Sequence, residues 1–186
     1  AENIETKVKL IQAESELAIP TKHTWLTVKD GMVMAAAGID ESNADGKLIL
    51  LPKDSFKTAR LLRQRLRVHY KVKQLGVLIT DSRTMPFRAG VTGAAIGYAG
   101  FKGIKDYRGT PDIFGRKFKY SRTNVADSLA TAAVLEMGEG NEQQPLALIK
   151  QAPITFCDRI NRRELNISLE DDMYRPLFEK LPKSRA

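Results

Sequence analysis

Gly90, Gly93, Gly97, Gly100, Gly103, Gly109 and Gly115 fall between Arg88 and Gly115. Each glycine inside a helix costs about 1 kcal/mol relative to alanine, so this stretch is excluded from a regular packed helix. Residues this small let the backbone come close to a ligand or to another chain. A glycine-rich strand and loop at a contact between two copies fits the same composition.

The segments on either side have clearer periods. Residues 4 to 18 read as an amphipathic helix ended by Pro20. Thr24 to Val28 and Met32 to Ala37 flank Asp30-Gly31, a two-residue hairpin signal. Asp54 or Ser55 caps a helix with Phe56, Ala59, Leu62 and Leu66 at helical spacing, running to about Tyr70. Leu75 to Thr80 is a short apolar run that suits a buried strand with Asp81 at its end. Asn124 to Met137 is alanine-rich, with Thr123 or Asn124 as its cap and Gly138 as its stop. Pro145 to Ile149 reads as a further strand. Strands interspersed with helices predict an α/β, or mixed α+β, layered domain. Residues 1–150 are expected to form its core and residues 151–186 a peripheral C-terminal extension.

Several chemistries lose support at once. The single cysteine, Cys157, excludes an internal disulfide and any cysteine-rich zinc site, and His23 and His69 are too few for a histidine metal centre. No Gly-Lys-Ser or Gly-Lys-Thr occurs, because Gly46-Lys47 is followed by Leu48, and no Gly-x-Gly-x-x-Gly follows a strand. No apolar run approaches the ~20 residues that span a bilayer, and the first residues lack a signal-peptide pattern, so the expected location is the cytoplasm, without a membrane partner.

Three acidic turns remain. Gly38-Ile39-Asp40-Glu41-Ser42-Asn43 follows one apolar run and Ile79-Thr80-Asp81-Ser82-Arg83 another. The third, Met137 to Pro145 with Glu139 and Glu142, leaves the end of the alanine-rich helix. Acids and small oxygen-bearing side chains suit a hard divalent cation that leaves positions open for phosphate. Ordinary strand-ending and helix-ending turns use the same residues. The net charge of +8 calls for an anionic partner. One basic cluster, Arg60, Arg63, Arg65, Arg67, Lys71 and Lys73, reads as a solvated helix face. The other comprises Lys102, Lys105, Arg108, Arg116, Lys117, Lys119 and Arg122, interleaved with glycines and aromatics, and is the better ligand candidate.

Taken in order, Gly38 to Asn43, Leu50-Leu51-Pro52, Ile79-Thr80-Asp81, Asp106-Tyr107-Arg108-Gly109, Pro111-Asp112, Phe114-Gly115-Arg116, Val125-Ala126-Asp127 and Met137-Gly138-Glu139 form a set. This set resembles the gamma-glutamyl ligases that extend the deazaflavin coenzyme F420. The match covers roughly residues 25–150 and looks closest to a bacterial branch described as folate-metabolism gamma-glutamate ligases.

The resemblance implies a family-specific fold with a mixed sheet and flanking helices, an intertwined homodimer, and GTP-dependent amide-bond formation. Two divalent cations, Mg²⁺ or Mn²⁺, are implied, with K⁺ as a further candidate ion. By motif, Asp40, Asp81, Ser82 and Glu139 hold metal, with Ser82 where the family usually has threonine. Asn43 and the loop of Met137, Gly138, Glu139, Gly140, Asn141, Glu142, Gln143 and Gln144 contact the nucleotide. Arg83, Arg88, Arg108 and Arg116 are candidates for binding the anionic substrates. The partners implied are GTP, L-glutamate and a deazaflavin or folate acceptor, with no nucleic acid.

Two departures qualify this expectation. Thr84-Met85-Pro86 and Gly90-Val91-Thr92 stand where the deazaflavin enzymes read Gly-Arg-Pro and Gly-Gln-Thr, which favours a different acceptor such as a folate. The relatives also carry an N-terminal segment with nucleotide-contacting loops, and this part of the family is expected to be missing here. The rival from another class is a nucleic-acid-binding module built on the basic 60–73 helix. A third reading is a dimeric nucleotide-sensing subunit.

Overall fold

The computed structural model describes residues 2–178, and residues 179–186 of the C-terminal extension lie outside the described residues. Helices and antiparallel sheets intersperse along the chain, giving the expected mixed α/β class. The described residues fall into two compact units, residues 2–51 with 166–178 and residues 52–165. No helix among the described residues is long and apolar enough to cross a membrane.

The first unit opens with helix α1 (Glu2–Ala13), followed by the antiparallel meander β1 (Leu17–Pro20), β2 (Trp25–Lys29) and β3 (Met32–Ala35). The helix expected over residues 4–18 therefore stops early, and its last part is a strand. Pairing with β2 overrides helix propensity there, Leu17 facing Val28 and Ile19 facing Leu26. Asp30 and Gly31 make the expected hairpin turn with φ of 52° and 73°, both positive as a type I′ turn requires. Ile11, Ala36 and Ile39 form a small core, with Leu10, Ala18, Trp25 and Leu48 packed on it.

After β3 the backbone runs through three consecutive left-handed residues, Ala36 at 49°, Ala37 at 55° and Gly38 at 69°. Such conformations cost alanine of order 1 kcal/mol each, so the surroundings must hold them. The holder is Thr27, fully buried on β2, whose hydroxyl donates to Met34 O and accepts from Ala37 N–H, each at 2.8 Å. Thr27→Val keeps the shape but strands the Ala37 N–H. It is expected to lower stability by about 2 kcal/mol, read as a shift in the denaturant midpoint with unchanged slope.

In the second unit, α2 (Ser55–Tyr70) and α3 (Val125–Met137) both pack on the hairpin β4 (Val77–Thr84) and β5 (Val91–Ala99). A short hairpin, β6 (Ile104–Asp106) with β7 (Arg122–Asn124), leads into α3. The glycine-rich stretch is thus part strand and part loop, with Gly93 and Gly97 in β5 and the other five glycines in turns and connections. A Cβ on Gly93 would sit 2.5 Å from the carbonyl carbon of Ala130 in α3, and one on Gly97 2.5 Å from the carbonyl carbon of Ser55 in α2. The glycines let both helices press onto one strand. Ala95, Tyr98, Phe101, Ala126 and Ala130 form the core at that contact, and Ile154, Ile160 and Leu165 pack against it.

Both long helices carry the caps read from sequence. Asn124 Oδ1 accepts from Asp127 N–H, and Gly138 N–H donates to Val134 O. Asp54 caps α2 by accepting from Lys57 N–H at 2.8 Å, and Arg162 donates to both of its carboxylate oxygens. The Lys57 N–H, then Arg162, hold the Asp54 carboxyl below its ordinary value. A carboxyl depressed in the folded state contributes fully above its unfolded value and loses that contribution as pH falls through the folded one. Asp54→Ala should therefore cost about 1 kcal/mol near neutrality, with the difference from the parent closing in acid melts.

Two further expectations differ from the structure. Pro145 to Ile149 forms no strand and lies exposed, because a short apolar run without a pairing edge gains nothing from extension. Asp81 lies inside β4, not at its end, since β4 continues to Thr84, which pairs with Val91.

Candidate functional site

Within the second unit, β4 presents Asp81, Ser82 and Arg83 in succession, opposite Ala94, Gly93 and Thr92 of β5. Glu139 follows the Gly138 cap of α3, and Ser82 Oγ donates a short hydrogen bond to Glu139 Oε1. Asp81 Oδ1 accepts from the N–H of Ser82 at 2.9 Å. Residues 57 positions apart in sequence are thereby joined, because α3 packs along β5 and delivers its C-terminal end beside the middle of β4. The structure brings Ser82 and Glu139 together, with Asp81 adjacent to Ser82 in sequence.

Arg83 comes next on β4. Its Nη2 lies 3.4 Å from Asp127 Oδ2, while its Nε is buried and has no hydrogen-bond partner among the described residues. Asp127 is a node: its carboxylate also accepts from Ala95 N–H at 2.8 Å and from Asn124 Nδ2 at 2.7 Å. Asp127 lies within the Val125-Ala126-Asp127 motif, to which the resemblance attaches no role. Its position three residues after a capping asparagine was the available signal.

The other arginines are dispersed. Arg108 is held by its neighbour Asp106, through Nε at 2.9 and 3.0 Å and Nη2 at 2.5 Å. Hydrogen bonds from the Arg108 side chain and backbone pull the Asp106 carboxyl down to about 2. Arg116 lies exposed in a turn where its N–H donates to Asp112, and exposed Arg88 follows the end of β4. Arg63, read as part of a solvated basic face, is instead buried, donating to Leu75 O at 2.8 Å and Asp158 at 2.9 Å. The basic stripe is therefore interrupted at Arg63, whose guanidinium turns toward acceptors from elsewhere in the unit.

The loop from Met137 to Gln144 folds on itself. Glu142 Oε2 accepts from Gly140 N–H at 2.8 Å, and Gln143 adopts a left-handed φ of 56°. Its carboxylate oxygens and backbone amides line an exposed turn beside Ser82.

Asp40 and Asn43 belong to the first unit. The Asp40 backbone bridges Ile49 through hydrogen bonds of 3.1 and 2.7 Å, and Asp40 Oδ1 accepts from the N–H groups of Glu41 and Ser42 at 2.7 and 2.9 Å. Burial opposes ionisation of Asp40. The hydrogen bonds from Ser42 and Glu41, with the charge of Lys7, outweigh it and hold the carboxyl below its ordinary value. Asn43, at a φ of 53°, continues this turn.

Asp81, Ser82 and Glu139 of the second unit offer only oxygen donors, as does Asp40 of the first by itself, and oxygen is what a hard cation prefers. Among the described residues, no three acidic, histidine or cysteine side chains gather into a set that encloses an ion alone. Mg²⁺ does not need such a cage, because it takes one or two carboxylates and completes its shell with water and phosphate.

Comparison with known proteins agrees with the motif order. The profile of the F420-0:Gamma-glutamyl ligase family matches residues 3–151. A coenzyme F420:L-glutamate ligase of Methanopyrus kandleri is 43% identical over 145 residues, which cover 77% of this chain and 57% of that protein. The same-named protein of Methanococcus maripaludis strain C7 is 40% identical over 147 residues, 79% of this chain and 58% of its own length. That of Methanocaldococcus jannaschii is 37% identical over 169 residues, 91% and 67% respectively. The chain thus spans less than two-thirds of the length of the first two of these relatives.

Proposed function

Because the chain belongs to the F420-0:Gamma-glutamyl ligase family, we propose that it forms an amide between L-glutamate and a carboxylate of an acceptor, driven by GTP and divalent cations. The observation that carries this reading is the Ser82–Glu139 hydrogen bond beside Asp81, in a chain matched by the family over most of its length. Asp81, Ser82, Glu139 and Asp40 are the residues that would hold Mg²⁺ or Mn²⁺, with K⁺ as a further candidate ion. The cations supply positive charge that offsets the triphosphate.

The reaction runs in two steps. An acceptor carboxylate oxygen attacks the terminal phosphorus of GTP, releasing GDP and leaving an acyl phosphate. The amine of L-glutamate then attacks the acyl carbon, phosphate departs and the amine gives up a proton. Asn43 and the loop from Met137 to Gln144 are proposed to seat the nucleotide. Arg83 is the best placed of the four arginines to meet an anion, having an Nε without a partner among the described residues and a 3.4 Å contact to Asp127 that a phosphate or carboxylate can replace. Arg88 and Arg116 stand as secondary candidates, and Arg108 is already engaged by Asp106. We propose a homodimer as the working form.

The names of the relatives favour a coenzyme F420-type acceptor. Thr84-Met85-Pro86 and Gly90-Val91-Thr92, which flank the β4–β5 turn, favour a folate-like acceptor as the second reading. The test is GDP release with GTP, Mn²⁺ and L-glutamate, in the presence of the deazaflavin or a folate, with the product followed by mass. Acceptor-dependent GDP and a product longer by one glutamate are expected. A chain that binds GTP yet releases no GDP with either acceptor would sink the assignment.

A further inference from the structure

We infer that a second cleft, at the opposite end of the β4–β5 hairpin from Asp81, binds a small carboxylate carried on an apolar stem. Val77 pairs with Ala99 at that end, whereas Asp81 pairs with Ala94, a separation of several residues and roughly 13–16 Å of strand. The cleft has a volume of about 260 Å³ and is lined by Arg60, Arg63, Arg162, Phe56, Tyr98 and Asp158.

Its charge is unbalanced. Arg162 is neutralised by Asp54 at 2.8 and 2.9 Å and lies 5.4 Å from the centre of the Phe56 ring. Arg63, with a side chain only 10% exposed, is fixed by Leu75 O and by Asp158. Arg60 makes no hydrogen bond or ion pair among the described residues, so its charge is left over. Three guanidinium groups therefore meet one carboxylate in the lining and one at its margin.

Asp158 shows what the cleft recognises. Its side chain is 82% exposed, yet Oδ1 reaches Arg63 Nη2 at 2.9 Å and lies 3.8 Å from Arg67 Nη1. A carboxylate on an otherwise solvated side chain thus occupies a half-buried guanidinium face, where a charge is screened less than in water. A ligand carboxylate can use the same guanidinium geometry, with Arg60 as the additional cation. Phe56 and Tyr98, whose rings are 5.3 Å apart, supply an apolar floor for the stem. Phosphate would gain the charge and leave that floor uncovered.

Titration calorimetry on the full chain at constant ionic strength tests this with glutarate and, separately, inorganic phosphate. Glutarate should bind, Arg60→Gln should weaken it at least tenfold, and Asp158→Asn, which removes the internal competitor, should tighten it several-fold. Arg60 is exposed, so its variant should melt like the parent. Unchanged affinity in Arg60→Gln, no glutarate binding, or phosphate binding as tightly as glutarate would each overturn the inference. Ser82→Ala should leave glutarate affinity unchanged, and GTP titration is independent of this cleft, so failure here is distinct from failure of the ligase reading.

Discussion

Glu139→Gln is expected to reduce metal-dependent GTP turnover by a factor of about 1,000 or more while leaving the melting temperature almost unchanged. The carboxylate is exposed, sits beyond the end of α3, and has Ser82 as its partner, so the fold gains little from it. Glutamine keeps the size and an acceptor for the Ser82 hydroxyl but removes the negative charge that a divalent cation requires. Loss of a charged metal ligand commonly removes several kcal/mol of transition-state stabilisation, and each 1.36 kcal/mol is about tenfold in rate. Ser82→Ala should cost less, since a hydroxyl is a neutral ligand, and its effect should fall mainly on the metal concentration needed for half-maximal rate. The measurement is GTP titration with Mg²⁺ and with EDTA, beside steady-state GDP release. Wild-type turnover in Glu139→Gln would remove this residue from the proposed metal site.

Gly93→Val should be the most damaging single change to the fold. The side chain would enter the space held by the Ala130 carbonyl, 2.5 Å from its carbon and 2.8 Å from the N–H of Thr131. Neither atom can retreat unless α3 shifts away from β5, and that shift would stretch the 2.9 Å hydrogen bond that Thr131 Oγ1 donates to the residue-93 carbonyl. Overpacking of this kind costs about 3 kcal/mol or more when the obstacle is backbone. Because the same contact delivers Glu139 to Ser82, the variant should lose GTP binding together with stability. A denaturant midpoint equal to that of the parent would show that α3 can lift off β5 freely. Gly90→Ala is the matched control, since nothing lies within 4 Å of a Cβ there, although its positive φ of 86° carries its own strain.

How far the residues could be read in advance depended on whether local chemistry or long-range packing decided them. The hairpin at Asp30-Gly31 and the helices capped by Asp54 and Asn124 were legible, because a turn or a cap is settled by residues within four positions of one another. The strand β1 was not. Residues 14 to 18 carry helix-forming composition, and only the facing β2 makes extension favourable. Arg63 was misread for the same reason: on the helix alone it belongs to a basic stripe, and the acceptors that bury it, Leu75 O and Asp158, come from elsewhere in the chain. Glu164 escaped notice entirely, although it accepts from Tyr98 OH at 2.5 Å and Gly103 N–H at 2.7 Å. Burial raises the Tyr98 hydroxyl's pKa first, and the hydrogen bond to Glu164 adds to it.

The ordered acidic motifs and the family they mark are legible in the order of residues alone, since side-chain identity and spacing are properties of the covalent chain. So are the caps and turns, whose energies are local. That Ser82 meets Glu139, that Asp127 ties Arg83 to β5, and that three arginines share a cleft follow from long-range packing. Those pairings depend on two helices pressing onto one glycine-bearing strand, and a contact between distant residues becomes favourable only once such packing has offset the entropy of bringing them together.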